Sequence, residues 1–181
     1  MTQTLPGRAE VQFRLLAVLL TLVPAAMSLF SFLNNLTDIS GTLEHIVYPM
    51  LAMKDTGVGP LQSWRAVEIR PLAQITYVVI MLVEAVPGFI CAFAALRMTS
   101  ALRRDADLFR RGVQLAQAGM LLGVFVWLFF FGAVAGDWFL VWRNPALKPV
   151  WTDSFQYSAM VALALLGLSL IDTRIARRDF L

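Results

Sequence analysis

The sequence is poor in the residue types that build soluble catalytic and metal sites. It contains one cysteine, Cys91, and one histidine, His45, among 181 residues. A single cysteine excludes an intrachain disulfide, and a single histidine excludes a haem or metal site that needs two histidines of this chain. We also find no nucleophile–base pair, no phosphate-binding glycine loop and no metal-ligand spacing. The sequence therefore predicts no enzyme, no metal and no cofactor.

Charged residues are also scarce, and hydrophobic residues are correspondingly frequent. Charged residues make up 15% of the chain and hydrophobic residues 59%, whereas soluble domains have roughly 25% and 45–50%. The mean hydropathy is +0.70. The net charge of +3 does not indicate nucleic-acid binding, because the basic residues flank apolar runs. The composition predicts an integral membrane protein whose first partner is the lipid bilayer.

Four apolar runs are long enough to cross a bilayer as helices, which takes roughly 20 residues each. They cover residues 15–33, 72–96, 113–135 and 150–171. We predict a single domain over residues 1–181, an all-α membrane protein with four transmembrane helices in a bundle. An outer loop, 34–71, and a cytoplasmic loop, 97–112, connect the spans. The first run continues beyond a signal-peptide core, so we expect it to be a retained span.

The distribution of basic residues predicts the orientation. Ten of the fifteen basic residues lie on the side that holds both termini and the loop 97–112. They are Arg8, Arg14, Arg97, Arg103, Arg104, Arg110, Arg111, Arg174, Arg177 and Arg178. The positive-inside rule then places both termini in the cytoplasm. Trp64, Trp138, Trp142 and Trp151 fall at the opposite ends of the spans, as an aromatic belt at the outer interface would.

The outer loop is too long for a turn and carries helical signals. Apolar residues recur at helical spacing between Leu43 and Leu51, and a second short helix is predicted near residues 62–67. We expect these helices to form a cap over the outer end of the bundle. The cap would dock a partner, close a small pocket or only shield the helix ends. Its candidate functional residues are Asn34, Asn35, Asp38, His45 and Trp64.

Glu84 is the one strongly polar residue deep within a predicted span. A charge at the membrane centre costs roughly 2.5–3.5 kcal/mol on insertion scales, so the side chain should face the bundle interior and be protonated, hydrogen-bonded or paired. Tyr77 and Gly88 lie seven residues before and four residues after it, on the same helical face. This face is either a ligand or proton site or a structural hydrogen bond between helices.

The third span contains two pairs of glycines, each pair four residues apart. Small residues at this spacing let two membrane helices approach closely. We expect the pairs to pack against neighbouring helices of this chain, with a partner subunit as the alternative. The four residues are Gly119, Gly123, Gly132 and Gly136.

Several short motifs, taken in order, resemble one known family. They are Asn34-Asn35-Leu36-Thr37-Asp38, His45, Met53-Lys54-Asp55, Trp64-Arg65-Ala66, Glu84-Ala85, Gly136-Asp137-Trp138-Phe139 and Trp142. Over residues 15–173 the chain resembles the bacterial family of predicted small integral membrane proteins, a four-span domain of unknown function. The resemblance implies a protein of the bacterial inner membrane. It implies no activity and no catalytic residues.

Three functions are compatible with these features. The first is a non-catalytic accessory or assembly subunit of a larger inner-membrane complex, for example a respiratory one, because the chain is small and offers glycine faces and a cap for docking. The second is a small proton-linked transporter or channel-like protein that uses Glu84. The third is a membrane protein that binds a quinone or lipid beside Tyr77 and Glu84.

Overall fold

The computed structural model describes residues 6–103 and 106–178. Within these ranges all regular structure is helical. Among the described residues, four helices are long and apolar enough to cross a membrane: Arg8–Thr37, Arg70–Ser100, Ala106–Trp138 and Lys148–Ile175. The prediction of an all-α protein with four spans is confirmed, and each helix extends beyond the apolar run that predicted it.

Ten helical elements follow one another along the described chain, and two of them are π-helices. The long elements are α1 (Arg8–Thr37), α5 (Arg70–Ser100), α6 (Ala106–Val126), π2 (Trp127–Trp138) and α7 (Lys148–Arg178). The short elements are α2 (Ile39–Thr42), π1 (Leu43–Val47), α3 (Tyr48–Leu51), α4 (Pro60–Ser63) and a 3₁₀ turn (Val141–Arg143).

The loops differ in detail from the predicted ones. The loop predicted over 97–112 is shorter, because α5 continues to Ser100 and α6 begins at Ala106. The second short helix begins at Pro60 rather than near residue 62, since proline suits a first helical turn, where its missing N–H is not needed. Arg104, which entered the charge comparison, lies outside the described residues, as do the side chains of Arg177 and Arg178.

The chain divides into two compact units. The first unit contains Met1–Leu29, Val86–Gly123 and Met160–Leu181, and the second contains Phe30–Ala85 and Val124–Ala159. In the first unit, parts of α1, α5, α6 and α7 pack in a closed ring. The contacts that join successive helices are Gly88 with Ser28, Gly119 with Cys91, Gln117 with Ser169, and Gly167 with Leu20.

A buried arginine stabilises one end of the first unit. Arg14 is 1% exposed and donates to the carbonyl oxygens of Ala101 at 3.1 Å and Leu102 at 3.4 Å. These carbonyls follow the last turn of α5, where backbone acceptors lack helical donors. Arg14 also pairs with Glu10 and lies over the ring of Phe109. The guanidinium thus satisfies acceptors that the helix leaves open.

The second unit contains the cap segment, residues 38–69, and an apolar core. Asp38 starts the segment as the N-cap of α2, accepting a hydrogen bond from the Gly41 N–H at 3.0 Å. Val67 N donates to Leu51 O at 2.8 Å, which fixes the end of the segment to its middle. The apolar core of this unit includes Val47 and Met50 of the cap segment together with Tyr77, Ala135 and Phe139.

The second half of the third span is π-helical over twelve residues, Trp127–Trp138. The N–H of Phe139 continues its pattern by donating to the Val134 carbonyl, five residues earlier. Runs of this kind are rare, and π-helical turns often occur at functional sites. The segment packs on α7 through Gly136, where a Cβ atom would lie 2.5 Å from the Trp151 ring.

Candidate functional site

Glu84 lies in α5 and is 2% exposed, which agrees with the expectation that it faces the protein interior. Its Oε2 accepts a hydrogen bond from Asn35 Nδ2 at 2.6 Å. Ser31, one turn earlier in α1, is a second hydrogen-bond partner of the carboxyl group. The buried carboxyl group is thus held by two polar side chains of α1.

Tyr77 joins the same two helices two turns away from Glu84. Its hydroxyl donates to the backbone carbonyl of Asn35, and the side chain of Thr42 is a further hydrogen-bond partner. Asn35 therefore contacts α5 twice, through its side-chain amide and its carbonyl. Since tyrosine hydroxyls and carboxyl groups both need partners when buried, these bonds fix the facing sides of α1 and α5 in the second unit.

These residues line a cavity of about 370 Å³ in the second unit, which we call the polar cavity. Its described lining residues are Ser31, Asn34, Asn35, Thr42, Ile46, Val47, Met50, Tyr77, Ile80, Glu84, Trp127, Phe131, Val150 and Asp153. The volume lies near the lower end of the roughly 300–1,000 Å³ typical of small-molecule sites. The cavity has the size and the mixed polar and apolar lining of a ligand site.

The charges around the polar cavity are of one sign. Glu84 and Asp153 contribute carboxyl groups, and no lysine, arginine or histidine is among its described lining residues. Asn34 and Asp153 are exposed, whereas Glu84 is buried. Two carboxylates without a nearby cation disfavour an anionic ligand through like-charge repulsion.

Trp127, at the start of π2, lines the polar cavity and has a buried indole nitrogen. Its indole ring stacks on Phe131 and on Tyr157, with ring centroids 4.7 Å and 4.3 Å away. Its Nε1–H is buried and has no acceptor among the residues that the structure describes. The nitrogen atom has almost no accessible surface, so a molecule in the polar cavity does not reach it in this structure.

The structure brings together only some of the residues that the sequence singled out. Glu84, Tyr77, Asn34 and Asn35 share the polar cavity. The other candidates lie elsewhere: Gly88 packs on Ser28 and Leu29 in the first unit, Asp38 caps α2, His45 is exposed, and Trp64 lies edge-on to the Trp138 ring.

The candidate glycines contact other parts of this chain where their surroundings are described. Gly119 faces Ile90 and Cys91, and Gly136 faces Trp151, so in both places a Cβ atom would collide with a side chain. Gly132 has more space, since the nearest atom, on Phe155, would lie 3.8 Å away. Gly123 is buried. Their use by a partner subunit stays a prediction.

Sequence reasoning missed Trp127, Asp153 and Ser31 as cavity residues. A tryptophan within a span cannot be distinguished by sequence from the other apolar residues there. Asp153 lies at the predicted end of a helix, where an aspartate is unremarkable. Only the packing of α1, π2 and α7 relative to Glu84 shows that these side chains share one cavity. Within residues 6–103 and 106–178, no three histidine, cysteine, aspartate or glutamate side chains lie close enough to hold a metal ion.

The fold and the cavity define a class: a four-span integral membrane protein with a carboxyl-lined cavity among its helices. A family model described as "Predicted small integral membrane protein", a domain of unknown function, matches residues 13–171. The chain belongs to this family, and the resemblance noted in the sequence is thereby confirmed. No curated protein and no solved structure matches the chain.

Proposed function

We propose that the protein is a non-catalytic, membrane-embedded binding protein that holds a small molecule in the polar cavity. The observation that carries this proposal is the buried carboxyl group of Glu84 in the wall of a cavity of about 370 Å³. Placing such a group in a membrane helix is expensive, and residues of this kind commonly mark ligand or ion sites.

The cap segment supports the same proposal. Thr42, Ile46, Val47 and Met50 all contribute to the lining of the polar cavity. Of the three roles that the sequence leaves open for the cap, these contacts favour closing a small pocket. The cap covers part of the cavity with apolar side chains, and the lower local dielectric beside them strengthens hydrogen bonds to a ligand.

The test uses two matched substitutions. Glu84→Leu removes a cavity carboxyl group, whereas Glu68→Leu removes an exposed carboxyl group of the cap segment. The protein would be released from native membranes into lipid nanodiscs, extracted with organic solvent and analysed by mass spectrometry. We expect a stoichiometric small molecule with the wild type and Glu68→Leu, and a loss of at least about tenfold with Glu84→Leu, as for about 1.4 kcal/mol. Equal recovery from all three proteins would contradict the proposal.

For the location, we propose the bacterial inner membrane with both termini in the cytoplasm. The proposal is supported by the ten basic residues on one side of the spans and five on the other. In this orientation the cap segment faces the periplasm. Single cysteines introduced at Gln62 and Arg103 test it in a Cys91→Ala background. We expect an impermeant maleimide applied to spheroplasts to label Gln62→Cys and not Arg103→Cys, and the reverse pattern would refute the orientation.

The accessory-subunit hypothesis is a second candidate, and three exposed apolar side chains of the cap segment favour it. Leu61 is 91% exposed, Trp64 71% and Ile69 61%. Where large exposed apolar side chains lie together, they mark contact sites for a protein partner or a membrane surface. A larger membrane complex, such as a respiratory one, would provide the matching surface.

Mild extraction of tagged protein followed by native-size analysis tests this candidate. Leu61→Lys should release the protein from the complex, while Gln62→Lys in the same short helix should not. Recovery of the wild type alone, as a monomer or homo-oligomer, would refute the subunit hypothesis and leave the binding proposal intact.

Proton-linked transport is the other use of Glu84. It is supported by the position of one buried carboxyl group in a cavity whose lining also includes the exposed Asn34 and Asp153. A Glu84→Gln variant keeps the size of the side chain and removes its charge. Normal complementation of a deletion strain by this variant would refute transport through Glu84.

A further inference from the structure

The polar cavity carries acidic groups that the surrounding protein does not balance. None of the ion pairs within the described residues involves Glu84 or Asp153, and no basic side chain is among the described lining residues of the cavity. The hydrogen-bond partners of Glu84, Asn35 and Ser31, are neutral. A cation from outside the protein is therefore the group that would balance these carboxyl groups.

The hydrogen bonding of Glu84 leaves room for such a cation. A carboxylate has about four acceptor positions, and Asn35 and Ser31 each supply one hydrogen bond. A buried carboxylate is costly when it is isolated and is tolerated when it is paired and hydrogen-bonded. An ammonium group meets both needs, because it is positively charged and each of its N–H bonds donates.

The exposed part of the cavity lining lies near the ends of two spans, on the side of the cap segment. Asn34 and Asp153 belong to the lining and are exposed. Asn34 lies in the last turn of α1, which ends at Thr37, and Asp153 lies in the second turn of α7, which begins at Lys148. An acidic side chain at an exposed cavity wall attracts cations from solution. The cavity can therefore be reached by a water-soluble cation.

The remaining lining fits the hydrocarbon part of an organic ion. Six of the lining residues are aliphatic or phenyl side chains: Ile46, Val47, Met50, Ile80, Phe131 and Val150. The volume of about 370 Å³ is that of a small-molecule site, and a bare metal ion would leave most of it unfilled. The part of the chain that the structure describes also holds no group of three carboxyl, imidazole or thiol side chains for a metal.

We propose that the polar cavity binds a small organic ammonium ion, with its charged nitrogen at the carboxyl group of Glu84 and its hydrocarbon body against the apolar wall. The exposed carboxyl group of Asp153 attracts the ion as it enters. This inference rests on the proposed binding function and names its ligand class.

The experiment measures retention of radiolabelled probes by the protein in phosphatidylcholine nanodiscs at low salt, relative to empty nanodiscs. The protein is first depleted of bound small molecules by extensive detergent washing. Phenethylammonium, phenethyl alcohol and phenylacetate share an aromatic body and differ in charge. Ethylammonium has the same charged group as the first probe and lacks the aromatic body.

Three variants locate the bound cation. Glu84→Gln removes the buried charge, keeps the size of the side chain and can still accept the hydrogen bond from Asn35. Asp153→Asn removes the exposed charge of the lining. Asp137→Asn is its matched control, because Asp137 is an exposed aspartate of the same unit and is not part of the described lining.

We expect phenethylammonium to bind at about one per protein, and the other three probes to bind at least about tenfold more weakly. Glu84→Gln should weaken phenethylammonium by at least about tenfold and leave phenethyl alcohol unchanged. Asp153→Asn should weaken it by about fivefold at low salt, as for one exposed charge nearby. This effect should shrink at high salt, where exposed charges are screened. Asp137→Asn should change binding by less than about twofold.

Each contrary result has a defined meaning. Equal or tighter binding of phenethyl alcohol or phenylacetate would overturn the assignment of the charge, and equal binding of ethylammonium would overturn the assignment of the hydrocarbon body. Unchanged binding of phenethylammonium by Glu84→Gln would overturn its placement in the cavity. Retention of no probe by the folded protein would overturn the inference altogether. In each case a native extract with Glu84-dependent recovery would still preserve the proposed function.

Discussion

The hydrogen bond between Asn35 and Glu84 predicts a measurable energetic coupling between α1 and α5. Asn35→Leu removes the donor that lies 2.6 Å from Glu84 Oε2. Glu84 is 2% exposed, so bulk solvent does little to replace the lost donor in the folded protein. Ser31 remains as a partner. The single substitution therefore leaves a buried polar group with incomplete hydrogen bonding.

The expected magnitude follows from the burial and from the membrane setting. A buried polar group that loses its partner costs about 1–3 kcal/mol, whereas replacing both partners by apolar groups is nearly neutral. Hydrogen bonds between membrane helices show coupling energies of about 0.6 kcal/mol on average and about 1.7 kcal/mol at most. Because this bond is short and enclosed, we expect a coupling of about 1–1.7 kcal/mol.

The assay is a double-mutant cycle on the free energy of unfolding. Wild type, Asn35→Leu, Glu84→Leu and the double variant would be unfolded reversibly in mixed micelles of dodecyl maltoside and SDS. The double variant should be more stable than the sum of the single effects predicts. Asn34→Leu, at an exposed neighbour, should change stability by less than about 0.5 kcal/mol. Additive single effects would refute the reasoning, because they would mean that the bond contributes nothing.

Three further predictions concern packing and accessibility. Gly136→Ala should lower the free energy of unfolding by about 1–3 kcal/mol, because its Cβ atom would lie 2.5 Å from the Trp151 ring. Gly132→Ala should be neutral, because the nearest atom would lie 3.8 Å from its Cβ atom. Equal melting temperatures of the two variants would contradict this prediction. Arg14→Met should cost about 1–3 kcal/mol by leaving backbone carbonyls unpaired, and a thermal melt identical to wild type would contradict it. Cys91 is 1% exposed, so maleimide should label it only after unfolding; rapid labelling of the folded protein would show that this packing is wrong.

The sequence was sufficient to predict the spans and the most unusual side chain. Apolar length determines where a helix can cross a bilayer, and the four predicted runs all lie within observed helices. Glu84 was identifiable because a charge in a span is costly wherever the neighbouring helices lie. Tyr77 followed from it, since residues seven positions apart share a helical face.

The rest of the cavity depends on packing that periodicity does not encode. Asn35 looked like a residue of the cap, yet α1 extends to Thr37 and brings its side chain to Glu84. Trp127 joins the lining from π2, and a pattern based on 3.6 residues per turn cannot anticipate a π-helical segment. Only the arrangement of three separate helices identifies the cavity.

The twelve-residue π-helix has a consequence for how the chain tolerates changes in length. Each of its turns contains more residues than a turn of α-helix, so the segment holds surplus chain within a fixed span. Deleting Ala133 should therefore convert part of π2 towards α geometry and leave the residues after Trp138 close to their places. The α5 helix contains no such extra residues, so deleting Val83 rotates every later residue of that helix by about 100°. Among the spans, the third is thus the one in which removal of a residue should disturb the fold least, and a comparison of folded yield between the two deletions measures that tolerance.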